Sequence, residues 1–271
     1  MISWYLENSG SKILAQHFVK IVITFILLRR SNMKKLKKIY LFLLFIIFST
    51  ACSNETSDDI LMLGTFNIEW LGDGKNDYID RKDSDYKNIA NVIKDTDADI
   101  LVLQEIENQA AIDRVLEYLP NHDAYISDNG ASQNLGVVYR KSVNISNLKL
   151  YYPLKVDEKK TRPALIFECK TGDFQAKIMV VHFKSTSRYD STTQLKELSY
   201  ELRRKQSAKA AYWADSIRNT SGGNVIIAGD FNDNPKRSTT TLKNLIDLDG
   251  YYFLTSDLKS DKNSFWDGHR S

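Results

Sequence analysis

Four short apolar runs limit what this chain of 271 residues can fold into. They lie in ILMLGTFNIEWL (60–71), DILVLQEIEN (99–108), AKIMVVHFKS (176–185) and NVIIAGDFNDNP (224–235). Each run is compact and bounded by polar or turn-forming residues, and the last (225–228) is rich in β-branched residues. That pattern reads as a buried strand rather than a helix. Between them lie stretches with helical spacing. In YKNIANVIKDTDA (86–98), Ile89, Val92 and Ile93 share one face. QAAIDRVLEYLP (109–120) is a second helix stopped by Pro120, and TQLKELSYELRRKQSAKAAYWADSIRN (193–219) a long third one with a break expected near Ser199. LGVVYR and PALIFECK add strands. Strands alternating with helices point, on pattern alone, to an α/β protein with a parallel sheet.

The four runs have a second property in common. Each delivers polar groups at its C-terminal end: Asn67, Glu105, His182, and Asp230 with Asn232. Any one has an ordinary structural explanation, as a turn cap, a helix cap or a hydrogen-bonded core histidine. Equivalent strand ends lie close together in a sheet, so the four together can converge on one site. Carboxylate and amide oxygens are hard ligands suited to Mg²⁺ or Mn²⁺ rather than zinc. The chain has no HExxH, no cysteine pair, no Gly-rich phosphate loop and no G-x-S-x-G elbow. The reaction class left is metal-assisted hydrolysis of a phosphate ester without a covalent intermediate. In it Glu105 would hold the ion, His182 would donate to phosphate and Asp230 would orient water.

Charge constrains the partner. The formal net charge is +3, but residues 1–51 carry eight of the 37 Lys and Arg and one of the 34 Asp and Glu. The remainder holds 29 basic and 33 acidic residues, so nucleic-acid binding would require a local basic patch. Arg203, Arg204, Lys205 and Lys209 are the candidate cluster, and a solvated helix face is the equal alternative. The basic N-terminus has its own reading. MKKLKKIYLFLLFIIFSTAC (33–52) has lysines, a ten-residue apolar core from Ile39 to Phe48, and small residues before Cys52. It resembles a lipoprotein signal peptide (33–51) with lipid on Cys52, the alternative being an uncleaved anchor helix. Residues 1–32 then form an upstream extension, and 52–59 a polar tether. Cys169 would have no disulfide partner.

From residue 60 onward the motifs TFNIEWL, LQEIEN, HFKS and GDFND resemble, as an ordered set, the endonuclease/exonuclease/phosphatase superfamily. The resemblance implies a four-layer α/β sandwich of two mostly antiparallel sheets flanked by helices, against the parallel sheet that pattern alone suggests. It implies that Asn67 and Glu105 belong to a Mg²⁺ or Mn²⁺ site, with Glu69 a secondary acidic ligand. It implies that His182 contacts phosphate, Asp230 aligns water, Asn232 stabilises the phosphorane-like state, and Arg162, in TRPAL, lies near the scissile phosphate. A closing histidine is expected in a Ser-Asp-His segment. Only His269, in FWDGHRS, is near that position, so 60–271 is expected to lack the domain's C-terminal end. The implied enzyme is an exported, membrane-anchored, monomeric phosphodiesterase acting on nucleic acid. The alternatives are a lipid-headgroup or sugar-phosphate phosphoesterase and an inactive relative.

Overall fold

The computed structural model describes residues 61–257, apart from Gly130, Ala131 and Arg188. The extension at 1–32, the signal segment, Cys52, the tether and His269 all lie outside the described residues. Among the described residues no helix is long and apolar enough to cross a membrane.

Among the described residues, eight strands form two sheets. β1 (Leu63–Leu71), β2 (Ile100–Ile106), β3 (His122–Ile126) and β4 (Asn134–Arg140) make the first, in the order β1-β2-β4-β3. β5 (Asn144–Tyr151), β6 (Ala164–Thr171), β7 (Phe174–His182) and β8 (Asn224–Asp230) make the second, in sequence order. Four of the six strand pairs are antiparallel, and the parallel ones are β1–β2 and β7–β8. The sheet is therefore not the parallel one suggested by strand–helix alternation. Hairpin-type connections such as β3–β4 and β6–β7 need no crossover helix.

Strand periodicity explains the layers. In β2, Ile100 and Val102 point to one face and Leu101 and Leu103 to the other, and all four are buried. The first pair joins Val137, Leu165, Ile178 and Val180 in a core between the sheets. The second pair packs under α1 (Asp83–Asp95) and α2 (Gln109–Leu116) with Tyr86, Ile89, Ile112 and Val115. Likewise Met179 and Val181 of β7 face α3 (Thr193–Ser221) and α4 (Lys243–Ile246), through Ala210, Trp213, Ala214 and Leu245. Burial on both faces is why these strands read as continuous apolar runs. The result is helices, sheet, sheet, helices.

Local signals set the helix ends. Asn108, not Glu105, caps α2, its side chain accepting from the Ala111 amide at 2.9 Å. α2 ends at Leu116, ahead of Pro120. α3 starts at its cap Thr192 and runs unbroken to Ser221, so the break expected at Ser199 does not occur. Ser199 is buried and its hydroxyl donates to Asp190 at 2.9 Å. Directed there, it does not compete for the helix's own carbonyls. Cys169 lies in β6, buried and free, and burial raises its thiol pKa to about 11.

Candidate active site

The two parallel strand pairs bring their C-terminal ends to one rim. In β1 and β2 the ladder is regular up to Asn67 opposite Gln104, then shifts, so that Leu71 lies opposite Ile106. Residues 68–70 thus bulge against a single residue, Glu105. Glu105 itself has φ +65°, a left-handed conformation uncommon outside glycine. That turn breaks the in-and-out alternation of β2 and brings the carboxylate to Asn67, Gln133 and His182 instead of into a core. In the second sheet the register runs without interruption to His182 opposite Asp230.

Three of the expected residues meet through Asn67. Its Nδ2 donates to Glu105 Oε1 at 3.1 Å and to Asp230 Oδ2 at 3.2 Å. Glu105 Oε1 also lies 3.8 Å from His182 Nε2. Arg162, in the loop before β6, donates from Nη1 to His182 Nδ1 at 3.1 Å. Guanidinium can only donate, so Nδ1 is the acceptor and the imidazole proton sits on Nε2, facing Glu105. His182 is 5% exposed. Burial, and then the Arg162 charge, hold its pKa far below the ordinary imidazole range, against the opposing pull of Asp230. The 3.8 Å approach is therefore not an ion pair, because the imidazole is neutral, and it exceeds hydrogen-bond length. Burial also lowers Arg162, while Glu105 and Asp230 counteract it, and the guanidinium stays charged.

Asn232 lies two residues beyond Asp230 in the loop after β8. Its Nδ2 donates to the Phe183 carbonyl at 3.0 Å, and its amide donates to Asp230 Oδ1 at 2.9 Å. In this arrangement it joins the β7 and β8 loops. Glu69 is exposed in the bulge; its amide donates to Asn67 Oδ1 at 3.0 Å. Gln133 is a site residue with no sequence signal. Its Nε2 donates to Glu105 Oε2 at 2.8 Å, while its Oε1 and backbone carbonyl accept from Arg162 at 3.2 and 2.9 Å.

The expected basic cluster on α3 is not one surface. Arg203 is 3% exposed and donates to the Lys184 carbonyl at 2.7 Å, to Thr186 at 3.1 Å and to Thr241 at 3.2 Å. Arg204 pairs with Glu197, and Lys205 with Glu201 at 2.7 Å. Thr241 in turn donates from its amide and hydroxyl to Asp233 Oδ2, each at 2.7 Å. Arg203 thus ties the loop after His182 to the loop after Asp230 from behind.

The donor set fits a hard divalent cation. Two carboxylates, Glu105 and Asp230, are drawn to one amide group, with one guanidinium in reach and a neutral histidine between. This leaves net negative charge lined by oxygen donors, which such an ion would neutralise. A second oxygen-rich cluster joins the loop after β1 to the residue after β2, where carboxylate atoms of Asp73, Asp77 and Glu107 fall within 4.8 Å of one another. The amides of Asp73, Gly74 and Lys75 already donate to it.

No curated protein matches the chain in sequence. Solved structures do match it. A TDP2 structure from Caenorhabditis elegans has TM-score 0.50 and 19% identity, covering 84% of this chain and 68% of its own. An endonuclease/exonuclease/phosphatase family protein from Bacteroides thetaiotaomicron has TM-score 0.51 and 16% identity, covering 69% and 68%. A mannosyl-6-phosphatase from the same organism has TM-score 0.51 and 16% identity, covering 69% and 70%. In two further C. elegans TDP2 structures this chain spans only 41% and 54% of the partner's length. At these identities the likeness is one of fold, and it agrees with two mostly antiparallel sheets between helices. The family match is in sequence: residues 64–269 match the Endonuclease/Exonuclease/phosphatase family, and the chain belongs to it.

Proposed function

We propose that the chain is a divalent-metal-dependent phosphodiesterase that hydrolyses nucleic acid. The observation that carries the reaction class is the convergence of Asn67, Glu105, Arg162, His182 and Asp230 on one rim. Glu105 would hold Mg²⁺ or Mn²⁺, and Asn67 would join it through Oδ1 with its amide group turned over from the orientation that points Nδ2 at Glu105 and Asp230. When bound, the ion supplies charge neutralisation for the pentavalent phosphorus state. The chain's own groups do the rest. Arg162 binds a non-bridging phosphate oxygen, its remaining N–H groups matching the planar phosphate edge. Neutral His182 donates a hydrogen bond from Nε2 to a phosphate oxygen or to the departing oxygen. Asp230, kept in place by the Asn232 amide, accepts a proton from the attacking water. Lys159 and Lys160, exposed in the loop that leads to Arg162, offer charge to phosphates flanking the scissile one. That is the local basic patch this reading needs.

A sugar-phosphate phosphatase is the second reading. It is favoured by the acidic loop beside the site (Asp73, Asp77, Asp80), and one structural neighbour is a mannosyl-6-phosphatase. Hydrolysis of DNA, RNA, sphingomyelin, a phosphoinositide and a hexose 6-phosphate in Mg²⁺ separates the readings. The expected result is cleavage of DNA or RNA, lost in EDTA and restored by Mg²⁺ or Mn²⁺. Glu105→Gln should lower the rate by roughly 10²–10³-fold, as when a single group stabilising transition-state charge is removed. Hydrolysis of hexose phosphate or lipid alone, or undiminished activity in EDTA, would overturn the proposal. Export with lipid on Cys52 belongs to the same reading, and Cys52→Ser should move the protein from the membrane fraction to the soluble one.

A further inference from the structure

The bulge that places Glu105 also builds an aromatic surface beside the site. Trp70 and Tyr78 contact each other with ring centroids 4.7 Å apart and planes tilted by 37°. Tyr78 is 65% exposed, so the ring is open to a ligand. Both neighbours in the bulge carry an unusual backbone: Glu69 has φ +54° and Trp70 φ +57°. Two consecutive left-handed residues without glycine persist only when the surroundings hold them. Here Arg81 does so, donating from Nη2 to the carbonyls of Ile68 and Glu69 at 2.9 and 2.6 Å. The loop leading to Tyr78 is pinned as well. The Gly72 carbonyl accepts from the Tyr86 hydroxyl at 2.9 Å, and the Asp73 carbonyl accepts from Arg114 at 3.1 Å. Asp77 accepts from the amides of Gly74 and Lys75 at 2.8 and 3.0 Å. The surface is thus held in advance of any ligand, so a ring that lands on it loses little to ordering the protein. It is also continuous with the site, because the Glu69 amide, one residue before Trp70, donates to Asn67.

We infer that Trp70 and Tyr78 form a stacking platform for the nucleobase next to the scissile phosphate. The inference rests on the nucleic-acid reading and deepens it. Uncharged ring faces, not phosphates, suit this rim, because the carboxylates of Glu69, Asp73 and Asp77 in the same segment repel a second phosphate. The platform therefore takes the base while Arg162 takes the phosphate. Every base has a π face, so the platform gives preference for nucleotides over base-free esters without reading sequence.

The test compares a five-residue oligothymidylate with the same sugar-phosphate chain lacking its bases, using the full-length protein in Mg²⁺. Tyr78→Ala should raise KM for the base-bearing oligomer by roughly 5–100-fold, the loss expected for one stacked base, and leave kcat near its starting value. KM for the abasic oligomer should stay within twofold of the unmutated protein's, and Tyr78→Phe should restore the lower KM. Equal effects on both oligomers, or no effect on either, would overturn the platform. A protein that hydrolyses neither oligomer sinks the nucleic-acid reading instead. The platform is then judged by tryptophan fluorescence in EDTA. Quenching by the base-bearing oligomer alone, lost in Tyr78→Ala, upholds it, and absence of quenching rejects it.

Discussion

The β1–β2 end and the β7–β8 end of this site supply comparable side chains by opposite means. The first is irregular. Its ladder slips by two residues, and Glu69, Trp70 and Glu105 all have positive φ. The second is in register to its last pair, His182 opposite Asp230. Behind it stand a buried Arg203 and Gln206, whose Oε1 accepts from the Lys184 amide at 2.8 Å. The difference follows from the task of each half. Glu105 stands inside a strand that continues to the buried Ile106, so its carboxylate points into a core unless the backbone is bent, whereas Asp230 is the last residue of β8 and reaches the rim without a bulge. A histidine whose proton must sit on one chosen nitrogen needs a rigid surround, and the regular ladder provides it. Strain is concentrated where a ligand set is presented, and order where a tautomer is fixed.

The contrast is tested most sharply at Gly229. It has φ +139°, and a Cβ there would lie 2.0 Å from the Val181 carbonyl oxygen and 2.8 Å from the Val181 nitrogen. Both atoms belong to the backbone of β7 and cannot swing away, so Gly229→Ala must push β8 off β7 next to the His182–Asp230 pair. We expect a loss of roughly 3 kcal/mol or more from overpacking combined with backbone strain. The melting temperature should fall by about 6–12 °C on the scaling for a domain of this size. An unchanged melting curve would show that the second half is softer than its register implies.

A smaller effect belongs to Asp233, which serves the same half through Thr241. Burial raises its pKa, but the Thr241 hydroxyl and amide, the Asn234 amide and Arg203 together outweigh burial and bring it below the usual aspartate range. A carboxyl depressed in the folded state is stabilising above its unfolded pKa, near 3.9, and that contribution is lost as the pH falls through the folded value. Asp233→Asn should therefore cost about 2 kcal/mol at pH 7, the scale of hydrogen bonds to a buried charged group. In urea denaturation the gap between the two proteins should shrink steadily once the pH drops below about 4. A gap independent of pH would mean that the carboxylate's charge plays no part in joining the two loops.

How far the sequence disclosed this arrangement depends on strand direction and burial. β2, β7 and β8 were legible because cores on both faces make them apolar without interruption. β3 and β5 were not: they are edge strands, as β1 and β8 are, but they carry polar residues such as His122, Asp123, Asn147 and Lys149 that interrupt any apolar run. Asn67, Glu105, His182 and Asp230 stand out because they end strands pointing toward the site. Gln133 and Arg162 precede β4 and β6, which run antiparallel to β2 and β7, so their N-terminal ends reach the same rim. Arg162 was found only through the family resemblance, and Gln133 not at all. The α3 cations misled for another reason. Ser199, Arg203, Gln206 and Ala210 recur at helical spacing on the buried face, and charge alone does not tell which face an arginine occupies.

The smallest effect is expected at Glu69, where the two halves should respond with opposite sign. Its side chain is exposed, and its φ of +54° is a conformation that glycine adopts freely. Glu69→Gly keeps both backbone bonds that hold the bulge, the amide to Asn67 and the carbonyl accepting from Arg81. Relief of a left-handed residue is worth roughly 1–2 kcal/mol. The greater chain entropy that glycine gives the unfolded state takes back about 0.5–1. A net gain of about 0.5–1 kcal/mol should raise the melting temperature by roughly 1–4 °C, where alanine at Gly229 lowers it. The same variant decides between two roles for Glu69. A bulge residue that serves the site through its backbone alone leaves phosphodiester hydrolysis within about twofold, because glycine keeps the amide that donates to Asn67. A secondary acidic ligand would instead show a loss of activity that added Mg²⁺ partly restores. Higher stability with full activity is the outcome expected, and a magnesium-dependent deficit would move Glu69 into the ion's coordination.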